Sequence, residues 1–192
     1  TFIGFDNFTK LFQDPLFWNA LVVTVEYVLL NIVFQTILAV AIAVLMHRLT
    51  QSTVIRGLIL LPFLISNVIA AMLWLWMLDF QIGLVNEFLA FVGLDRIAYF
   101  GDSAWAIPTI AAVNVWRHMG YTALLVFAGL QTIPNYVYEA ASVDGSTEWQ
   151  SFWRITLPLL RPVLALVLVI TVTGSFQVFD TAFILGGSRG GT

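Results

Sequence analysis

The sequence predicts an all-α fold, a polytopic bundle of membrane-spanning helices that forms one domain over residues 1–192. Composition is the first observation: 60% of the 192 residues are hydrophobic and only 10% are charged, with a mean hydropathy of +0.92. So few charges cannot cover a soluble domain of this size. The second observation is a series of long apolar blocks separated by polar connectors. Both indicate that the chain is built for a lipid bilayer.

The same composition argues against several functions. The net charge of -3 is spread without a basic block, which argues against nucleic-acid binding. The chain has no cysteine, and His47 and His118 lack the spacing of metal ligands, so no metal site is expected. Glu26, Arg117 and His118 do not form a nucleophile with a base, and we therefore expect no catalytic residues and no enzyme activity.

Four segments are long and apolar enough to cross a hydrocarbon core, which takes roughly 20 residues of helix. They cover residues 20–46, 55–78, 105–133 and 155–178, and none shows the alternation of barrel strands. The chain opens on Thr1 rather than methionine and stops in a polar run. We therefore expect an internal piece of a longer protein.

Phenylalanines recur every three or four residues before the first span, at Phe2, Phe5, Phe8 and Phe12. This spacing predicts a short amphipathic helix that Asp6 caps and that residue 15, a proline, ends. The helix either lies in the outer membrane interface or packs as a lid over the bundle, and both readings stay open.

Charges on the connectors predict the orientation of the chain. The first connector holds Arg48 and Arg56 without an acid, whereas residues 79–104 hold four acids and Arg96. By the positive-inside tendency, the first connector is cytoplasmic and the second external. Counting spans then places the connector at residues 134–154 on the cytoplasmic side.

This third connector, residues 134–154, predicts a short helix with clear ends. Asn135 is expected to cap a helix that begins at Tyr136 and runs to about Val143. Gly145 then supplies the left-handed residue that stops it. Because so short a helix is marginal alone, one of its faces must dock. It packs against either the ends of the bundle or a groove on a partner, and the residues leave both open.

A second helix is expected directly afterwards. Thr147 and Gln150 have the spacing of a capping box, which restarts the helix. Pro158 and Pro162 cannot donate backbone hydrogen bonds, so the entry to the fourth span should be kinked.

The connector also resembles a known signature. The order Glu139-Ala140-Ala141, three residues, Gly145, nine residues, and Ile155-x-Leu157-Pro158 is similar to the EAA motif of permease subunits in binding-protein-dependent ABC importers. The stretches "GLQTIPNYVYEAASVDG", "FIGFDNFTKLFQD", "LPFLISNVIAAMLWLWML" and "SFQVFDTAFIL" resemble the carbohydrate-uptake branch of the maltose and glycerol-3-phosphate type. The resemblance covers essentially the whole chain, although the tail "LGGSRGGT" lacks the proline usual in that branch.

The resemblance implies a MetI-like permease core with one span missing at each end, in a bacterial or archaeal plasma (inner) membrane. It implies that residues 134–154 are an EAA coupling loop that seats in a cytoplasmic ABC ATPase. It further implies a second permease subunit as a hetero-dimer partner, an external substrate-binding protein and a carbohydrate substrate. The alternative is a non-sugar solute such as a polyamine, phosphate or an amino acid. The residues implied in ATPase coupling are Glu139, Ala140, Ala141, Asp144, Gly145, Leu157 and Pro158.

Some of these residues have simpler readings. Asp144 and Glu148 fit local caps or surface charges better than partner contacts. Glu139 has the alternative of a solvated carboxylate in the first turn of a helix. The chain has no G-x-x-x-x-G-K-[ST] loop, so no cofactor is expected on it, and ATP with magnesium belongs to the partner ATPase.

Polar residues inside the spans predict a translocation path, because such residues are costly in lipid and tend to face the bundle interior. In the third span they recur at i, i+3, i+4 and i+7, which is one helical face. Polar and aromatic groups together suit a sugar, whereas the alternative for Arg117 and His118 is a structural hydrogen bond to a neighbouring helix. In the second span Pro62 predicts a gating bend or a tolerated kink. The predicted path residues are Asn114, Arg117, His118, Tyr121, Asn67, Asn31 and Gln35.

Overall fold

The computed structural model describes residues 4–49, 52–177 and 180–187, and these residues form helices without a strand. The all-α fold class is thereby confirmed. The helices are α1 (Asp6–Gln13), α2 (Pro15–Leu49), α3 (Thr53–Leu64), α4 (Asn67–Met77), α5 (Leu84–Phe91), α6 (Ser103–Gln131), α7 (Asn135–Val143), α8 (Glu148–Ser151), α9 (Leu157–Leu159), α10 (Arg161–Phe176) and α11 (Asp180–Gly187), with a π-helical turn at Phe152–Thr156.

The four predicted spans coincide with helices, but two of them are bent. By length and composition, α2 alone among the described helices suffices to cross a membrane, and up to three spans result if each of two bent pairs counts as one. The bent pairs are α3 with α4, at 89°, and Glu148–Leu159 with α10, at 67°. The third predicted span lies in the 29-residue α6, whose polar middle makes it less apolar. The division into four spans stays a prediction, and Val178 lies outside the described residues.

Helix α1 confirms the predicted amphipathic segment and corrects its cap. Phe5 holds the N-cap position without a side-chain hydrogen bond, and Asp6 is the first helical residue. Asp6 therefore does not cap the helix, and its negative charge in the first turn interacts favourably with the helix dipole. Phe5 and Phe8 are 81% and 56% exposed, and no residue of α1 is buried. This exposure suits the interfacial reading better than the lid; Phe2 lies outside the described residues.

The core consists of two apolar clusters along α2 and α6. One is built around Ala39, Ala43, Ala123 and Val126, each fully buried, and it also takes in Leu160 from the start of α10. Alanines at the crossing let the two long helices approach closely, as small residues do in membrane bundles. The other cluster lies nearer the opposite end of α2 and holds Tyr27, Val28, Ala71, Ile110, Ala111, Val113 and Leu185.

The connector between α4 and α6 is a folded unit that the sequence analysis did not predict. The side chain of Asn86 in α5 is fully buried; it donates to the carbonyls of Asp79 and Ile97, each at 3.0 Å, and accepts from the backbone N–H of Ile97 at 2.9 Å. Arg96 adds an ion pair with Glu87 at 2.7 Å. The backbone N–H groups of residues 82 and 81 donate to the Asp79 carboxylate and hold its pKa below the usual range. One buried amide thus ties both ends of this connector together.

Candidate functional site

Helix α7 begins one residue earlier than predicted. Pro134 holds the N-cap position with extended backbone, and no side chain caps the helix. The prediction that Asn135 caps α7 is therefore wrong, because the non-helical position falls on the proline and Asn135 is already helical. A proline suits that place, since it has no backbone N–H to leave unsatisfied.

The end of α7 is a Schellman motif, which confirms the role of Gly145. Gly145 has a φ of +77°, and its N–H donates to the carbonyl of Ser142 at 3.1 Å. The N–H of Ser146 donates to the carbonyl of Ala141 at 2.9 Å. Only a residue without Cβ adopts this φ at no cost. The turn between α7 and α8 is therefore fixed by backbone geometry.

Helix α7 has one packed face and one open face. Ala141 is buried, and the hydroxyls of Tyr138 and Thr156 lie 3.1 Å apart. On the other face Glu139 and Ala140 are exposed, and Val143 is 88% exposed. Packing against the bundle thus accounts for the inner face only. The outer face, which carries two residues of the EAA motif, is free to meet a partner.

Helix α8 starts at the predicted capping box. The N–H of Gln150 donates to Thr147 Oγ1 at 3.3 Å, and the N–H of Thr147 donates to Gln150 Oε1 at 2.9 Å. Glu148 forms an ion pair with Arg48 at the end of α2. This exposed pair joins the connector at residues 134–154 to the end of α2, two elements that are far apart in sequence.

The kink predicted from Pro158 and Pro162 is present, and a π-helical turn precedes it. The N–H of Leu157 donates to the carbonyl of Phe152, five residues back. This wider turn shifts the hydrogen-bond pattern just before Pro158, the residue that cannot donate. Leu157 and Pro158 are half-buried, and the chain then turns by 67° into α10. They therefore lie at the bend, whereas Glu139 and Ala140 lie on the open face.

A buried polar network joins α2, α6 and α10 between the two apolar clusters. Asn31, 1% exposed, donates to Ser175 Oγ at 2.7 Å and accepts from the amide of Asn114 at 2.9 Å. Gln35 donates to Thr122 Oγ1 at 2.8 Å and contacts Thr171 at 3.4 Å. Three of the predicted path residues therefore form hydrogen bonds between helices: Asn31, Gln35 and Asn114. Their role in a path stays a prediction.

We expect Asn31→Leu to destabilise the helix bundle, because leucine keeps the volume and leaves the partners of the amide unsatisfied. The loss in the free energy of unfolding should be about 1–3 kcal/mol, measured on the purified protein in detergent. Thr24→Val is the matched control: Thr24 is half-buried, and its hydroxyl donates within its own helix, to the carbonyl of Ala20. If both variants unfold like the wild type, the network adds no stability.

Arg117 of α6 contacts the end of α3. Its Nε donates to the carbonyl of Ile65 at 2.9 Å, and its Nη2 donates to that of Phe63 at 3.2 Å. Nη1 lies 2.9 Å from His118 Nε2, while His118 Nδ1 lies 2.9 Å from the carbonyl of Asn114. A neutral ring with its proton on Nδ1 satisfies both contacts. These are hydrogen bonds of the kind that the structural alternative describes, and a role of Arg117 and His118 in a path stays a prediction.

The remaining predicted path residues flank the break between α3 and α4. Tyr121 stacks on Phe63, with ring centroids 4.6 Å apart and an interplanar angle of 11°. Asn67 is the first residue of α4 and is half-buried. The bend predicted at Pro62 is present but falls later, at Ile65 and Ser66, which are both extended. Thr122, Thr171 and Ser175 were not predicted from the sequence, although Thr171 and Ser175 have a helical i, i+4 spacing.

The described residues hold no group of three or more histidine, cysteine, aspartate or glutamate side chains that could bind a metal ion. The residues that distinguish this chain chemically are instead the open face of α7, the buried amide network and the arginine at the break.

Comparison with known proteins gives the chain a family context. A family model described as "binding-protein-dependent transport system inner membrane component" matches residues 35–192. The chain is 33% identical over its full length to the sulfoquinovosyl glycerol transport system permease protein of Agrobacterium fabrum, and 34% identical over 99% of its length to the trehalose/maltose transport system permease protein of Thermococcus litoralis. It spans 62% and 65% of these two relatives.

Solved structures show the same architecture. A bacterial ABC transporter involved in alginate import matches with a TM-score of 0.84 and 30% identity, over 96% of this chain and 69% of that one. A bacterial alginate ABC transporter in complex with an alginate pentasaccharide-bound periplasmic protein matches with a TM-score of 0.87 and 32% identity, over 95% of this chain and 65% of that one.

Proposed function

This chain belongs to the family of binding-protein-dependent transport system inner membrane components, and from that membership we propose that it is the helical core of an ABC importer permease that passes a carbohydrate. The permease does not hydrolyse ATP; that reaction belongs to a separate ATPase subunit. The observation that carries the proposal is α7, a short helix that is packed on one face, open on the other, and stopped by a glycine of positive φ.

Carbohydrate is the substrate class that the relatives favour. Permeases named for sulfoquinovosyl glycerol and trehalose/maltose are each at least 33% identical to this chain, and one named for lactose, from Rhizobium radiobacter, is 31% identical. The alginate transporter adds an acidic polysaccharide to the same group. None of these relatives is named for a polyamine, phosphate or an amino acid, which are the alternative substrates.

The outer face of α7 is the surface that we propose for ATPase docking. Glu139 and Ala140 are exposed there, and the small alanine side chain allows close approach of a partner. Behind this face, the packing of Ala141 and the contact between Tyr138 and Thr156 connect α7 to the start of α10. A push on the outer face would therefore reach the spans through packed side chains, in the manner of a rigid-body switch between inward-facing and outward-facing states.

A second permease subunit would complete the path. Within this chain, the amides of Asn31, Gln35 and Asn114 bond to neighbouring helices, so sugar binding would use Tyr121, Asn67 and groups on the partner. Tyr121 presents an aromatic ring and Asn67 an amide, which are the groups that stack on a sugar ring and bond its hydroxyls. We place α7 on the cytoplasmic side, because the first connector carries positive charges. An external binding protein would then deliver the sugar from the opposite side.

Reconstitution tests the function directly. The full-length protein is placed in liposomes with its partner permease, its ATPase and its binding protein, and ATP-dependent uptake of labelled mono- and oligosaccharides is compared with that of polyamines, phosphate and amino acids. We expect ATP-dependent uptake of a carbohydrate and no ATP-dependent uptake of polyamines, phosphate or amino acids. ATP-dependent uptake of one of the other solutes without any carbohydrate would overturn the substrate assignment.

The docking face makes a separate prediction. Ala140→Arg places a long charged side chain on the open face of α7, and we expect recovery of the ATPase with the purified permease to fall by about tenfold or more, as for disruption at the centre of an interface. Thr9→Arg, on the exposed side of α1, is the matched control and should leave ATPase recovery unchanged. Equal recovery of the ATPase with both variants would remove α7 as the docking helix.

A further inference from the structure

We infer that Arg117 is a positioning residue that holds the break between α3 and α4, and thereby sets where α4 begins, rather than a group that binds the transported molecule. The break is large, at 89°, and its two central residues are extended. Extended backbone at membrane depth is tolerated only where protein or water satisfies its polar groups. The carbonyls that the break leaves without helical partners therefore need hydrogen-bond donors from elsewhere.

In a continuous helix the carbonyl of Phe63 would accept from residue 67 and that of Ile65 from residue 69. Both of those acceptors lie before or within the break, whereas residues 67 and 69 belong to α4. The N–H of Ile65 turns back to the carbonyl of Pro62 at 3.3 Å, so the last turn of α3 closes on itself. The carbonyls of Phe63 and Ile65 are the ones on which the guanidinium of Arg117 converges.

The guanidinium suits this role better than a sugar contact. Its planar fork reaches two carbonyls at once, and its positive charge lies at the carboxyl end of α3, where the helix dipole is negative. The third contact, from Nη1 to His118 Nε2, holds the group from its other side. Three of the donors of Arg117 therefore already have partners inside this chain.

The surrounding packing fixes both ends of the clamp. The Phe63 ring stacks on Tyr121 and meets His118 in a T-shaped contact, and the Arg117 guanidinium carbon lies 5.5 Å from the Phe63 centroid. One turn of α6 further on, a Cβ added to Gly120 would lie 2.0 Å from the carbonyl oxygen of Ile59. Helix α3 thus contacts α6 backbone to backbone, so Arg117 is held at a constant distance from the break.

The clamp is also continuous with the buried amide network. His118 Nδ1 bonds to the carbonyl of Asn114, whose side chain donates to Asn31, which in turn donates to Ser175 of α10. Hydrogen bonds therefore connect the break before α4 with α2 and α10. A residue placed this way affects how α4 moves, and through it the rate of transport.

Thiol labelling tests this inference. The chain holds no cysteine, so Ala70→Cys, at a site 2% exposed in the first turns of α4, gives a single reporter here once any cysteines elsewhere in the full-length protein are replaced. In the assembled transporter in nanodiscs, Arg117→Ala should raise the rate of N-ethylmaleimide labelling at position 70 by about tenfold or more, because hydrogen bonds from a charged group are lost and local opening becomes easier.

The matched control is Ala39→Cys, which is fully buried in the apolar cluster with Ala43, Ala123 and Val126. Its labelling rate should not respond to Arg117→Ala, and an equal rise at both sites would mean general unfolding and overturn the inference. If Arg117→Ala does not assemble, Arg117→Lys replaces it; lysine keeps the charge without the fork, so a smaller rise at position 70 is expected, and no rise overturns the inference.

Transport kinetics separate positioning from sugar binding. This part rests on the proposed function, and we expect the maximal uptake rate to fall with the KM for substrate unchanged. A higher KM with unchanged labelling at position 70 would make Arg117 a substrate contact instead. Absence of carbohydrate uptake by the wild type would count against the proposed function alone, since the labelling experiment needs no substrate.

Discussion

Replacing Gly145 with valine should abolish most of the coupling between ATP hydrolysis and transport. Gly145 has a φ of +77°, and a Cβ added there would meet no atom within 4 Å. The whole penalty is therefore conformational, roughly 1–2 kcal/mol or more for a β-branched residue in the left-handed region. A penalty of that size lowers the ratio of the native turn to other conformations by about 5- to 30-fold. We expect the ATPase stimulation by loaded binding protein, and uptake, to fall accordingly.

Two matched variants show that conformation is the cause. Gly145→Asn should retain most of the stimulation, since asparagine tolerates the left-handed conformation better than other residues with a Cβ. Gly174→Val adds the same side chain in α10, where a Cβ also meets no atom within 4 Å and φ is not positive. It should couple normally. Normal coupling by Gly145→Val in an assembled transporter would show that the Schellman turn is not needed.

Gly120→Ala should destabilise the helix bundle. The added Cβ would lie 2.0 Å from the Ile59 carbonyl oxygen and 2.9 Å from its carbonyl carbon, and backbone atoms cannot rotate away. Helices α3 and α6 must then separate, which costs about 1–3 kcal/mol or more. We expect a lower melting temperature and a lower yield of folded permease, and the Arg117 contacts to Phe63 and Ile65 should weaken as α3 moves.

Other glycines give a graded comparison for this experiment. A Cβ at Gly129 would meet the Val163 side chain at 2.8 Å, and a side chain can adjust where a backbone cannot, so Gly129→Ala should cost less. Gly57→Ala adds a Cβ to α3 in open space and should be neutral. If the melting temperature of Gly120→Ala equals that of Gly57→Ala, the close approach of α3 to α6 is not required for stability.

The conformation of the connector at residues 134–154 was largely predictable because its signals are local. Gly145 and the Thr147–Gln150 capping box act over three to six residues, and their geometry does not depend on distant parts of the chain. The one error within this connector is the cap predicted at Asn135. Pro134 and Asn135 are adjacent and either could hold the N-cap position, which falls on Pro134. The docking of the outer face of α7 stays a prediction, since its partner is another protein.

The polar membrane residues were only half predictable. Helical spacing correctly put Asn114, Arg117, His118 and Tyr121 on one side of α6, where they contact α2 and α3 or stack on Phe63. Spacing within one helix does not determine which neighbouring helix packs against that face. The same residues that suit a sugar also suit a buried network, and only the neighbouring helices decide between the two.

By itself, the sequence determined the helical class, the stop of α7 at Gly145, the start of α8 at its capping box, the kink before α10 and the family signature, because each follows from composition or from residues close together along the chain. The tertiary structure decided that α3 and α4 meet at 89°, that Arg117 caps the break, and that Asn31, Gln35 and Ser175 form one network. The hydrogen bond from Arg117 to Ile65 joins residues 52 positions apart, and the one from Asn31 to Ser175 joins residues 144 positions apart. Such contacts depend on how whole helices pack, and no local pattern specifies that.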